Sequence, residues 1–201
     1  MPTWTFVRHG QSVANAEGWL AGFHDAPLTP LGRQQAIEAR ERLPTPLPPR
    51  AYCSDLSRAH ETAQLLLEGR GIRPVVAPQL RERDCGAWER RSIASVERLG
   101  PTRQRLGSWR GAPPRGESLL AVALRVVGWL TTVDDSDEDA LIVCHGALMR
   151  SVLAAIDRIP REDLDLWRPG NCEAIGRDVE VGGFRRLIDE LRAEAGANHD
   201  A

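Results

Sequence analysis

Val7-Arg8-His9-Gly10-Gln11-Ser12 and Val143-Cys144-His145-Gly146 decide how this chain is read. Each begins at the end of an apolar run and passes into a His-Gly pair. Before the first, Thr3-Trp4-Thr5-Phe6-Val7 alternates polar and apolar residues, the pattern of a strand. Before the second, Ala140-Leu141-Ile142-Val143-Cys144 is unbroken in its apolarity, which suits a parallel strand buried on both faces. A glycine right after each histidine lets the backbone turn sharply and pass close to a ligand. Ligands of open α/β sheets gather beyond the carboxyl ends of the strands. His9 and His145 are therefore expected at one end of one sheet. Arg8 precedes the first histidine, and Arg58 falls in the first turns of a helix that comes after another short strand, Ala51-Tyr52-Cys53-Ser54. Guanidinium and imidazole groups converging on strand ends describe a pocket for a dianion, above all a phosphate. Any one of these residues alone is commonplace, and a single histidine at a strand end is ordinarily a hydrogen-bonded loop residue. The weight lies in their joint placement.

The rest of the chain fits that reading. Its 201 residues, 42 % hydrophobic and 27 % charged with a formal net charge of -2, describe one soluble globular domain and exclude disordered, collagen-like and coiled-coil classes. A sequence pI near 6.2 gives no bulk attraction to nucleic acid or to an anionic membrane. No apolar stretch approaches the roughly 20 residues that span a bilayer. The N-terminal run reads as a strand rather than a signal peptide. Cys53, Cys85, Cys144 and Cys172 are scattered without a Cys-x-x-Cys pair, so neither a disulfide framework nor a zinc site is expected; reduced thiols in a cytoplasmic protein are. Lysine is absent, and any anion site must rely on guanidinium, imidazole or backbone N–H groups.

Strand and helix patterns alternate, predicting an α/β class with a mostly parallel central sheet covered by helices on both faces. Helices are expected at 13–16, at 30–43 after the Thr29 cap with Pro30 in its first turn, at 55–68, at 119–133 and at 147–157. Short strands are expected at 51–54 and 75–77. Residues 174–179 and 184–188 look like a hairpin around Gly182-Gly183, succeeded by a fraying polar tail from Asp189. The arginine-rich, irregular stretch at about 80–116, with a helix near 92–99, reads as a lid or cap within a single domain spanning 1–201.

These blocks together resemble the histidine phosphatase superfamily, the phosphoglycerate-mutase-like group. The resemblance rests on Val7-Arg8-His9-Gly10-Gln11-Ser12 with Asn15, on His24-Asp25-Ala26-Pro27-Leu28-Thr29-Pro30-Leu31-Gly32 and on Ser54-Asp55-Leu56-Ser57-Arg58-Ala59-His60-Glu61-Thr62-Ala63. It continues through Leu80-Arg81-Glu82-Arg83-Asp84-Cys85-Gly86-Ala87-Trp88-Glu89, Gly116-Glu117-Ser118 and Val143-Cys144-His145-Gly146, in family order over nearly the whole chain. It implies His9 as a nucleophile that becomes phosphohistidine, with Arg8, Arg58 and His145 clamping the phosphoryl oxygens. Asn15 and Gly146 complete the phosphate pocket, Glu82 is the proton donor, and neither metal nor organic cofactor is needed.

Elementary chemistry agrees with these roles. A neutral imidazole is a good nucleophile near neutral pH, and fixed guanidiniums with a second, protonated imidazole can meet the charge that spreads over the phosphoryl oxygens. Lesser candidates have ordinary readings: Ser12 and Ser57 as helix caps, His24 and His60 as surface residues, Cys144 as an inert buried thiol, and Trp88, Trp109 and Trp129 as packing.

Within the family, mutases carry a Tyr and a Lys where this chain has Cys85 and Ile93. That departure favours a phosphomonoesterase acting on a small phosphorylated metabolite, over a phosphoglycerate mutase or a non-catalytic phospho-ligand module. The only partner expected is that substrate, with no nucleic acid and no membrane; monomer and homodimer both stay open.

Overall fold

The computed structural model describes residues 1–98, 109–164 and 167–197. Strands β1 (Thr3–Arg8), β2 (Arg50–Cys53), β3 (Val75–Val76), β4 (Ala140–Cys144) and β5 (Ala174–Asp178) form one sheet in the order β3-β2-β4-β1-β5. The first four are parallel and β5 is antiparallel to β1. Register does the positioning. Val143 of β4 lies opposite Val7 of β1 and opposite Cys53 of β2, so three strands end level with one another. The residues just beyond their carboxyl ends must emerge at one edge.

Helices α1 (Val13–Glu17), α2 (Pro30–Ala39), α3 (Ser57–Leu67), α4 (Ile93–Glu97), α5 (Leu119–Leu130), α6 (Gly146–Ile156) and α7 (Gly183–Gly196) flank the sheet. Strand alternation divides the core in two. Trp4, Phe6, Ala140, Ile142 and Cys144 face α5, α6 and α7, whereas Val7, Leu141 and Val143 face α2 and α3. Burial on both faces is why β4 is apolar at every position. The expected α/β class with a mostly parallel sheet is the one observed. Among the described residues no helix is long and apolar enough to cross a membrane.

Three expectations are corrected. The 174–188 hairpin does not form: β5 pairs with β1, and the second half is helix α7. Phe184, Ile188 and Leu191 are buried at helical spacing, with Phe184 set edge-on to Trp4 at 5.1 Å, and this stripe outweighs the hairpin signal of Gly182-Gly183. The tail from Asp189 is therefore helical as far as Gly196 rather than frayed. Helix α2 stops at Ala39 and tightens into a 3-10 turn, Arg40–Arg42, before the prolines. Of the expected lid, 99–108 lies outside the described residues. The remainder comprises two 3-10 turns, Pro78–Leu80 and Gly86–Trp88, and helix α4; Leu80 and Trp109 belong to the core on the α5 face.

Candidate active site

At the level ends of β1 and β4 the structure brings together Arg8, His9, Arg58, Glu82 and His145. His9, Arg58 and His145 are buried, at 3 %, 1 % and 0 % exposure. One glycine, Gly10, lets the chain close up here. Gly10 packs directly on the backbone of Gly32, where an added side chain would collide with that backbone. Gly146 opens α6 beside the Arg8 guanidinium; a Cβ there would lie 3.4 Å from Arg8 Nε.

The His9 ring is oriented by its own turn. Nδ1 lies 2.7 Å from the Gly10 carbonyl, which can only accept, so Nδ1 carries the proton and Nε2 keeps its lone pair. The His145 ring stands behind it, at 5.1 Å between centroids and 63° between planes, with both ring nitrogens lacking a hydrogen-bond partner among the described residues. Burial, reinforced by the Arg58 and Arg8 charges, holds His9 well below the usual imidazole range. The same burial and the Arg58 charge lower His145. In the ligand-free site both shifts favour the neutral rings.

The two guanidiniums have unusual partners for buried cations. Arg58 donates to the carbonyls of Gly22 (2.9 Å) and His24 (3.2 Å). Arg8 donates to the Pro169 carbonyl (2.7 Å), and its Nε has no partner among the described residues. Neither forms an ion pair with a carboxylate among the described residues. Burying a cation without a counter-charge is costly, and burial lowers both arginines from their ordinary values. Such a pair fits a site whose counter-charge arrives with a ligand.

Glu82 is reached from the other side. One of its oxygens accepts from the backbone N–H groups of Arg83 (2.8 Å), Ala147 (3.1 Å) and Leu148 (3.3 Å), which places the carboxylate at the N-terminus of α6. Asn15 borders the cavity at the end of a capping box; its carbonyl oxygen accepts from the Ser12 backbone and hydroxyl and from Asn171 Nδ2, which leaves its NH2 group to face an anion.

Several neighbours escaped the sequence reading. Thr62 donates to the Arg58 carbonyl (2.6 Å) and accepts from Gly10 N–H (3.1 Å), tying α3 to the His9 turn. Asn171 donates to the His9 carbonyl (3.0 Å). Arg125 and Glu117 brace the Glu82 segment: the guanidinium grips Glu117 with two bonds (2.7 and 2.8 Å) and also donates to the carbonyls of Gln79, Arg81 and Glu82. Only turn-forming residues around Pro169-Gly170-Asn171 and the Gly116-Glu117-Ser118 block hinted at these contacts. Arg150 and Arg168 at the cavity wall had no signal, being two arginines among many.

Of the lesser candidates, Ser12 caps α1 as expected, whereas Ser57 is the first residue of α3 and donates to Asp25 instead of capping the helix. His24 contributes its carbonyl to Arg58 while its ring lies against Trp19. Cys144 is buried with its thiol pushed up, and Cys85, on the cavity wall, is pushed up by burial to about 11, so neither competes as a nucleophile.

The chain resembles known proteins in sequence and fold. A model of the histidine phosphatase superfamily (branch 1) matches residues 4–187. "Probable phosphoglycerate mutase GpmB" of Cronobacter sakazakii is 34 % identical over 171 residues, covering 83 % of this chain and 80 % of that protein. The structure of mycobacterial glucosyl-3-phosphoglycerate phosphatase in complex with VO3 superposes with a TM-score of 0.80 at 29 % identity, covering 90 % of this chain and 99 % of the other. The alpha-ribazole phosphatase of Shigella flexneri does so with a TM-score of 0.77 at 26 % identity, over 89 % and 91 % of the two chains.

Proposed function

This chain belongs to the histidine phosphatase superfamily, and we propose that within it the protein is a metal-independent phosphomonoesterase acting on a small phosphorylated metabolite. The observation that carries this is the pair of buried guanidiniums without carboxylate partners among the described residues, set around a neutral histidine whose free lone pair is on Nε2.

The phosphate binds against Arg8, Arg58, His145 and the Asn15 amide. His9 Nε2 attacks phosphorus as the bond to the alkoxide oxygen breaks. The departing oxygen takes its proton from Glu82, and His9 carries the phosphoryl group. Water then attacks phospho-His9 and gives a proton to the Glu82 carboxylate, releasing inorganic phosphate and restoring both groups. The negative charge of the bound phosphate favours the protonated form of His145, so ligand binding itself supplies a further positive charge to the phosphoryl group.

A second reading, phosphoglycerate mutase, is favoured by the names of the curated relatives. Against it stand Cys85 and Ile93, which border the cavity where mutases of the family carry a Tyr and a Lys. The deciding experiment incubates enzyme with p-nitrophenyl phosphate in EDTA and, separately, with 3-phosphoglycerate. Phosphate release and an acid-labile, alkali-stable phosphoryl label on His9 are expected. The label and turnover both vanish in His9→Ala, by at least about 10⁴-fold for turnover. Interconversion of 2- and 3-phosphoglycerate without phosphate release would establish the mutase; loss of activity in EDTA would overturn metal independence.

A further inference from the structure

The turn His9-Gly10-Gln11 is held at each of its backbone N–H and C=O groups, and three of the holders are side chains from elsewhere in the chain. In the first peptide unit the His9 carbonyl accepts from Asn171 Nδ2 (3.0 Å), and the Gly10 N–H donates to Thr62 Oγ1 (3.1 Å). In the second, the Gly10 carbonyl faces His9 Nδ1 (2.7 Å), and the Gln11 N–H donates to Gln35 Oε1 (2.8 Å). The Gln11 carbonyl accepts from Thr29 N–H at the start of α2 (2.9 Å). Gln35 is half-buried on α2, three residues after Gly32 and so on the same face. A Cβ on Gly32 would collide with the Gln11 backbone, so the bare helix there lets Gln35 come within reach of the Gln11 N–H.

A peptide unit after glycine turns over cheaply, because no Cβ restrains it. Turned over, the Gly10–Gln11 unit would offer His9 Nδ1 an N–H in place of a carbonyl. Nδ1 would then have to accept, the ring proton would move to Nε2, and the lone pair needed for attack on phosphorus would be lost. The preceding unit cannot absorb the rotation, since Asn171 and Thr62 hold both its ends. Gln35 opposes it directly: a turned-over Gly10 carbonyl would meet the Gln35 oxygen, which can only accept. In the observed arrangement the bonds to His9 and Gln35 lie at opposite ends of one peptide dipole and strengthen each other.

We propose that Gln35 is a positioning residue for the nucleophile: by accepting from Gln11 N–H it fixes the Gly10 carbonyl against His9 Nδ1 and so keeps the lone pair on Nε2. This rests on His9 being the group that attacks phosphorus in the proposed function. Gln35 itself does not border the cavity.

Nitrogen NMR of the ligand-free protein, labelled at histidine and kept at neutral pH, tests this, with His9 assigned by its absence in His9→Ala. The spectrum reads which ring nitrogen carries the proton. In the wild-type protein the proton is expected on Nδ1 alone. Gln35→Met keeps the length of the side chain and removes its carbonyl. Part of its His9 population should carry the proton on Nε2, and kcat for p-nitrophenyl phosphate should fall about tenfold with little change in KM. Gln35→Glu, whose carboxylate only accepts, should restore the Nδ1 proton and most of kcat. A merely structural role for Gln35 would lower activity or stability and leave the tautomer alone. A Gln35→Met protein that keeps the His9 proton wholly on Nδ1, or that keeps wild-type kcat, would therefore overturn the proposal. So would a wild-type protein with the proton on Nε2, a result that needs no variant to fold. Should the wild-type protein hydrolyse no p-nitrophenyl phosphate, the phosphomonoesterase reading fails instead, and the tautomer comparison alone decides the role of Gln35.

Discussion

The phosphate cradle and the mouth above it are built from different material. The cradle hangs on regular structure: His9 and His145 at the ends of β1 and β4, Arg58 in the first turn of α3, all buried and held by backbone carbonyls or close packing. The mouth is made of irregular segments: the loop carrying Trp19 to Gly22, the 3-10 turns on either side of Glu82, and the Arg168-Pro169 turn. Strand register fixes the position of the first. The second is free to vary in sequence without disturbing the sheet, which is where selection among substrates can change.

Glu82 sits on the border between the two, and replacing it gives the largest effect that separates them. Its backbone belongs to the mouth while its carboxylate lies at the start of α6. Glu82→Gln should slow hydrolysis of alkyl phosphates by about 10²–10⁴-fold, the range of a lost general acid. Turnover of p-nitrophenyl phosphate, whose leaving group departs without a proton, should fall far less. Steady-state kinetics with both substrate types reads the difference. Equal losses would move Glu82 out of proton transfer and into the structural support of the α6 N-terminus.

A smaller effect tests what keeps Glu82 on that border. The carbonyls of Gln79, Arg81 and Glu82 all accept from Arg125, which is anchored in turn by Glu117. Arg125 touches no reacting atom; it is a positioning residue. Arg125→Met should lower kcat for alkyl phosphates about tenfold with little change in KM, because a displaced proton donor weakens the chemical step more than binding. The loss should again depend on leaving group, and Arg125→Lys should recover part of it. A uniform loss on both substrate types would assign Arg125 to folding alone.

The same division explains what could be read from sequence. His9 and His145 were legible because strand periodicity and an adjoining glycine announce a strand end, and Arg58 because its helix comes directly after a strand. Thr62, Asn171 and Arg125 were not, since each acts through bonds to backbone carbonyls or amides that only the folded chain brings near; nothing in an ordinary threonine or arginine signals such a partner. The stretch at 80–116, expected as a lid, is described only outside 99–108. In its described part Arg81 is held by Asp55 through three bonds, and Leu80 and Trp109 anchor the stretch in the core. The helix α7 was missed because two adjacent glycines look like a turn regardless of the residues after them, and only the Phe184-Ile188-Leu191 stripe, with Phe184 against Trp4, decides the issue.

The gentlest probe of the comparison is proton linkage. His9 and His145 are buried neutral, with folded values lowered by burial and by Arg58. Unfolding exposes imidazoles that bind a proton below about pH 6.5, so the unfolded chain takes up more protons than the native one there. The contribution of these two groups is complete above that value and is lost as pH falls from about 6.5 toward their lowered folded values. Thermal melts of the ligand-free protein should show stability declining below about pH 6.5, by at most about 1.4 kcal/mol per pH unit for each histidine. Sulfate, a dianion across this range, should flatten the decline by favouring the protonated rings in the cradle. A melting temperature that stays level down to pH 5 without ligand, or a slope that sulfate does not alter, would mean that the strand-end imidazoles are already charged and that the cradle holds its counter-charge within the protein.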